Sequence, residues 1–243
     1  MAMDRSSRWL MQSSTWRALG NTYVVAAPGG ERRLVSADAV ALARDADGVV
    51  EVLSASDDRI EVAIWNPDGS RAELSGNGTR IAAAWLAARS SAERIEVVVG
   101  DRSVSTRILE GGVLEQDLGE VIVARPETIA GISVTPVNVG NPHAVVIGDP
   151  ESVSEVGPLL ETHPRFPDRT NVQVARIDAP GQVTARVWER GVGETASSGT
   201  SAVAVAAATH GEGDVVVHFP GGDLRVRLAD GRALLYGSAE RVS

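Results

Sequence analysis

Two stretches of this chain are apolar on every side at helical spacing. Arg80–Ala88 reads RIAAAWLAA and Ala202–Thr209 reads AVAVAAAT, and neither has a clear polar face. A helix without a polar face is buried all round. Much of the remaining chain is strand-like. Short β-branched runs recur at Tyr23–Ala26, Gly48–Leu53, Ile60–Trp65, Ile95–Val99, Val121–Ala124, Ala144–Ile147, Val183–Trp188, Asp214–Phe219 and Leu224–Leu228. Gly-Gly, Pro-Gly and Asp-Gly steps separate them. The spacing therefore predicts helices wrapped by sheet. Each apolar helix starts in the same way, at Ser75-Gly76 and at Ser198-Gly199, and the two serines lie about half the chain apart. The expected fold is α/β of the α+β kind. It has two pseudo-symmetric halves, each a curved, mostly antiparallel sheet around one central helix. Further short helices are expected after Ser36 and over roughly Ser154–Glu161, and the last apolar helix ends near His210-Gly211. The expected division is an N-terminal extension over 1–14, a first half over 15–128 and a second over 129–243, with the last strand returning to the first half.

Composition removes several function classes. The net charge of −9 argues against nucleic acid or an anionic membrane as partner, because both select basic patches. No apolar run is long enough to span a bilayer, and the first residues lack a secretory h-region, so a cytoplasmic location is expected. The chain contains no cysteine, which excludes disulfides and thiolate nucleophiles. All 23 basic residues are arginine. Without lysine there is no Schiff-base anchor for pyridoxal phosphate. The histidines at 143, 163, 210 and 218 form no ligand cluster, so neither metal nor cofactor is expected.

The helix starts carry the functional signal. A helix N-terminus presents unsatisfied N–H groups and partial positive charge, and it binds carboxylates readily. Serine is also a good N-cap, so one such start is explained by capping alone. Two matched starts are different, because they are flanked by turns rich in Asn, Glu and Arg: WNPDGS from Trp65, VGNPH from Val139, PDRTN from Pro167 and WERGVGET from Trp188. Together these offer groups suited to a small zwitterionic amino acid. Carboxylates would meet Arg190 and backbone N–H groups, and an ammonium would meet Glu189.

Six ordered motifs identify a relationship. They are LGN at Leu19–Asn21, NPDGS at Asn66–Ser70, SGNGTR at Ser75–Arg80, GNPH at Gly140–His143, FPDRTN at Phe166–Asn171 and ERGVGET at Glu189–Thr195. From about Trp16 to its end the chain resembles the diaminopimelate epimerases, which are cofactor-independent amino-acid racemases. The resemblance implies an active site between two α/β halves, a role in lysine biosynthesis and a tendency to form homodimers. It also implies a mechanism. One cysteine removes the substrate's α-proton as thiolate and a second returns a proton from the opposite face. Carried over by motif, Asn21, Asn66, Asn141, Asn171, Glu189 and Arg190 bind substrate. Gly76, Asn77, Gly199 and Thr200 supply the helix-start contacts to the reacting carboxylate.

The departures are central. Ser75 and Ser198 occupy the places of the two cysteines, and Thr22-Tyr23 stands where the family usually has Asp-Phe. A thiol titrates near pH 8.5 and can be shifted lower at a helix N-terminus. A serine hydroxyl is far less acidic and needs an adjacent base. Three readings stay open at this level. The chain is a diaminopimelate epimerase (LL to meso) that uses serines. Alternatively, it is a related isomerase for a different amino acid or a more acidic carbon acid, with Glu73 or Glu194 taking part. Alternatively, it is an amino-acid-binding homologue, or a variant whose two cysteines were replaced to trap a complex, with little or no turnover.

Overall fold

The computed structural model describes residues 12–27, 32–72 and 75–243. Among these, nineteen strands form one hydrogen-bonded network. Four α-helices accompany it: α1 (Ser36–Leu42), α2 (Gly76–Ala87), α3 (Val153–Glu161) and α4 (Gly199–Thr209).

The same pairing order occurs twice. In the first half, Gln12–Ala18 and Asn21–Ala27 form an antiparallel hairpin. The chain crosses through α1 to Gly48–Ala55, which runs parallel to Asn21–Ala27. Arg59–Trp65 returns antiparallel and carries the short strand Arg71–Ala72. The chain then crosses through α2 to Arg94–Val99, parallel to Arg59–Trp65, and closes with antiparallel Arg102–Ile108 and Val113–Glu120. The second half repeats every step. Ile132–Asn138 pairs with Pro142–Ile147, and α3 crosses to a parallel Asn171–Ala179. Gln182–Glu189 returns with Gly193–Thr195, and α4 crosses to a parallel Gly213–Phe219. Gly222–Ala229 and Arg232–Ser238 close it.

The halves are stitched reciprocally. Ile122–Val123, which follows the first half, pairs with the second half's first strand. Glu240–Arg241, which follows the second, pairs with Gln12–Ala18. Val113–Glu120 pairs along its length with Arg232–Ser238. The expected N-terminal extension over 1–14 overlaps the first strand at residues 12–14, and its residues 1–11 lie outside the described residues.

Each half has an inner and an outer core. Around α2 the inner core packs Ile81, Trp85 and Leu86 against Val25, Val50, Ile60, Val62, Ile95 and Leu114. Around α4 it packs Ala202 to Ala207 against Val183, Val187, Val215, Val217, Leu224 and Leu235. Full burial of such side chains contributes about 1.5–3 kcal/mol each. The many alanines let the sheet close tightly round each helix. Smaller outer cores lie under α1, at Ala39 and Trp65, and under α3, at Leu160 and Phe166. Pro158 lies within α3, and Gly157 makes room for the Trp188 indole, which a β-carbon there would meet at 2.5 Å. This architecture brings the starts of α2 and α4 together at the seam of the halves.

Candidate active site

The two helix starts touch. A methyl group on Gly76 would lie 2.9 Å from the Cα of Gly199, and one on Gly199 would lie 3.0 Å from the Cα of Gly76. Only glycine allows both backbones this approach. Two N-terminal dipoles therefore converge on one place.

A buried arginine adds charge beneath them. Arg80 has no exposed surface; its Nη1 donates to Asn77 Oδ1 at 3.2 Å, and its Nη2 has no hydrogen-bond partner. Burial lowers the guanidinium to about 10. Among the described residues no carboxylate pairs with it. Two helix N-termini and an unpaired guanidinium so close together make the region electropositive.

The two serines are not equivalent. Ser75 caps α2: its Oγ accepts from Gly78 N at 3.0 Å and lies 3.2 Å from Tyr23 Oη. Ser198 caps α4 by backbone position, but its side chain makes no capping bond. The adjacent Ser197 is fully buried and links the halves. Its Oγ donates to Leu19 O at 2.7 Å and accepts from Asn77 Nδ2 at 3.3 Å, and its carbonyl accepts from Asn21 Nδ2 at 3.0 Å. Leu19 and Gly20 form the two-residue turn between the first two strands, at φ 48° and 80°. Positive φ at both positions is the hairpin geometry that matches strand twist. For leucine it costs roughly 1–2 kcal/mol. The turn presents Leu19 O to Ser197 and starts the strand at Asn21.

A polar chain supports the start of α4. Asn141 Nδ2 donates to Thr200 Oγ1 at 3.4 Å, and Asn141 Oδ1 lies 2.9 Å from His143 Nε2. Gln173 Nε2 donates both to His143 Nδ1 and to Ser201 Oγ, each at 3.0 Å. With Nδ1 accepting, the His143 proton resides on Nε2 and is donated to Asn141. Burial pushes this imidazole down to about 3, with the nearby Arg190 charge adding to the effect. His143 is therefore a neutral spacer, hydrogen-bonded to Asn141 and Gln173 rather than to Ser75 or Ser198.

Beyond the helix starts lies an open cleft of about 340 Å³, lined from both halves by Asn66, Asn141, Asn171, Glu189 and Arg190 among others. Asn171 is a local organiser: its Nδ2 donates to Pro142 O and its Oδ1 accepts from Arg190 N, both at 3.0 Å. Arg190 Nη1 donates to Asp168 O at 3.0 Å. Glu189 Oε1 accepts from Thr195 Oγ1 at 2.6 Å. Burial pushes the Glu189 carboxyl above the usual carboxylate range, Thr195 opposes this and Asp47 adds to it. A carboxyl in that condition favours an incoming ammonium.

The sequence-derived set thus divides in two. Asn66, Asn141, Asn171, Glu189 and Arg190 share the cleft. Asn21, Gly76, Asn77, Gly199 and Thr200 lie at the joined helix starts, where the Asn21 amide is engaged by Ser197. Of the two carboxylates considered as auxiliary bases, Glu194 is held by Arg186 at 2.6 Å, and Glu73 lies outside the described residues. Sequence reasoning missed Ser197, Gln173 and Ser201, and it left Tyr23 without a role. The only signal was the internal match of Gly20-Asn21-Thr22-Tyr23 with Gly140-Asn141-Pro142-His143.

Comparison with known proteins places this geometry. Residues 135–242 match the family model described as diaminopimelate epimerase. The chain is 34% identical over 272 residues to the diaminopimelate epimerase of Desulforudis audaxviator, covering 96% of this chain and 97% of that one. It belongs to the diaminopimelate epimerase family. A second diaminopimelate epimerase, from Pelotomaculum thermopropionicum, is 35% identical over 81% of each chain. The family is one of isomerases. The fold is also that of a hydroxyproline epimerase from Agrobacterium vitis, solved with bound trans-4-hydroxy-L-proline. That structure matches with a TM-score of 0.70 at 17% identity, over 98% of this chain and 91% of that one. A PhzF-family phenazine biosynthesis protein from Enterococcus faecalis shares it at TM-score 0.69 and 14% identity, over 96% and 97%. Among the described residues, no helix is long and apolar enough to cross a membrane.

Proposed function

We propose that this chain epimerises diaminopimelate at one α-carbon, from LL to meso, without a cofactor, and that Ser75 and Ser198 occupy the two proton-transfer positions. One observation carries the reading. The electropositive junction of α2 and α4 is linked, through the hydrogen bond from Asn141 to Thr200, to a cleft that Asn141 lines together with Asn66, Asn171, Glu189 and Arg190. The junction suits the reacting α-carboxylate. At the far end of the substrate, Arg190 suits the distal carboxylate and Glu189 the distal ammonium.

Calorimetry with LL- and meso-diaminopimelate tests the substrate class. Binding is expected for both. Glu189→Gln removes the charge that meets an ammonium and is expected to weaken binding at least about tenfold, the lower end for a lost charge-assisted hydrogen bond. Absence of binding by the unaltered protein contradicts the assignment.

A specific observation favours a second reading, amino-acid binding with little turnover. Among the described residues, no hydrogen bond joins either serine to a general base. His143 is committed to Asn141 and Gln173, and Glu194 to Arg186.

A further inference from the structure

Two departures from the family pattern touch one another. Tyr23 lies on strand Asn21–Ala27, and its Oη is 3.2 Å from the Oγ of Ser75, 52 residues along the chain. The phenol is buried, and among the described residues Ser75 is its hydrogen-bond partner. The ring is tightly seated. A β-carbon on Gly48 would meet Tyr23 Cε1 at 2.6 Å and the Trp65 carbonyl at 2.7 Å.

We propose, resting on the reading of Ser75 and Ser198 as the proton-transfer positions, that Tyr23 is a positioning residue whose phenol donates to Ser75 Oγ and supports negative charge there, making the two serines unequal. Two groups converge on Ser75 Oγ at the N-terminus of α2: the Gly78 N–H donates to it, and the Tyr23 hydroxyl lies within hydrogen-bond distance. Hydrogen bonds to a charged form favour that form. Among the described residues, the Ser198 side chain makes no matching capping hydrogen bond. Its neighbourhood is organised instead through Thr200, Asn141, His143, Gln173 and Ser201.

The surroundings keep Tyr23 a donor. Burial, together with the carboxylates Glu189 from the second half and Asp47 ahead of strand Gly48–Ala55, holds the phenol well above its ordinary range. It therefore does not deprotonate to become a base. On α2 the nearby charged side chain is Arg80, whose guanidinium turns to Asn77 and to the backbone of Gly237.

The absence of native cysteine makes the inference directly measurable. S75C and S198C each introduce a single thiol as reporter. Its titration is followed by thiolate absorbance and by the pH dependence of iodoacetamide alkylation, with no substrate and no turnover needed. The S75C thiol is expected to ionise at lower pH than the S198C thiol. Adding Tyr23→Phe keeps the ring in its seat and removes one donor. It is expected to raise the S75C midpoint by about one pH unit, a tenfold change in acidity, and to leave the S198C midpoint in place. The order of the two single-thiol midpoints already tests the claim, whatever Tyr23→Phe does to folding. Equal midpoints, a reversed order, or a Tyr23→Phe effect that is absent or common to both thiols would overturn it. Because no ligand is involved, failure here is separate from failure to bind diaminopimelate.

Discussion

Replacing both serines together, Ser75→Cys with Ser198→Cys, is expected to raise α-hydrogen exchange on diaminopimelate by at least about 10²-fold, within the range that a well-matched acid–base group contributes. The groups proposed to bind substrate are already in place. Asn66, Asn171, Glu189 and Arg190 line one cleft, and Gly76 and Gly199 bring two helix dipoles together. What is weak is hydroxyl acidity at the two proposed proton-transfer positions, Ser75 and Ser198. A thiol near pKa 8.5, lowered by a helix N-terminus, is substantially ionised at the pH where these measurements are made. A serine hydroxyl there is almost wholly protonated. Inversion accompanying that exchange should need both replacements, because epimerisation requires proton loss on one face and proton return on the other. Exchange measured in D₂O by NMR reads the effect directly. Unchanged exchange in the double variant would mean that the pocket is arranged for chemistry other than α-proton transfer.

The second large effect concerns the junction itself. Gly76→Ala and Gly199→Ala each place a methyl group about 3 Å from the opposite backbone. Backbone cannot rotate aside as a side-chain end can, so the helix starts must separate. Overpacking of this kind costs about 1–3 kcal/mol, and roughly 2–4 °C of melting temperature follows per kcal/mol in a chain of this size. Separating the dipoles should also weaken the carboxylate contact, so diaminopimelate affinity should fall with stability. Gly148→Ala is the comparison: its nearest neighbour is 3.8 Å away and its φ lies outside the left-handed region, so it should change neither quantity appreciably. If Gly76→Ala melts and binds like Gly148→Ala, the two starts are not in contact and the clamp does not exist.

The parts of this molecule legible in its sequence are those with strong local periodicity. α2 and α4 stand out because Ile81 to Leu86 and Ala202 to Ala207 leave no polar face, and each is read to within a residue of its observed start. Strands such as Gly213–Phe219 are visible through alternating buried valines. Arg102–Ile108, Val113–Glu120 and Asn171–Ala179 are harder to see. Their inward faces include Thr106, Gln116 and Gln173, polar residues that are buried, and Thr79 and Ser201 reach Gln116 and Gln173 from the helices. Composition alone reads such residues as exposed. The site shows the same limit. Motifs name Asn66, Glu189 and Arg190, but no pattern within one strand says that Tyr23 meets Ser75 or that Ser197 joins Asn21 to Asn77. These contacts follow from the way the two halves are stitched, which only the fold reveals.

The same stitching brings groups from both halves to the cleft. Asn66 comes from the first half and Asn171, Glu189 and Arg190 from the second, so an occupant of the cleft is held from both sides. Among the described residues the Arg80 Nη2 beneath the junction is unpartnered, and its charge adds to that of the two helix starts.

The most direct measurement is α-hydrogen exchange by the unaltered protein. It is incubated with LL-diaminopimelate in D₂O and followed by NMR, with LL and meso forms separated chromatographically. The account predicts slow incorporation of deuterium at one α-carbon per molecule, accompanied by formation of the meso form. Calorimetric binding without exchange or inversion over long incubation would contradict it and leave the protein an amino-acid binder.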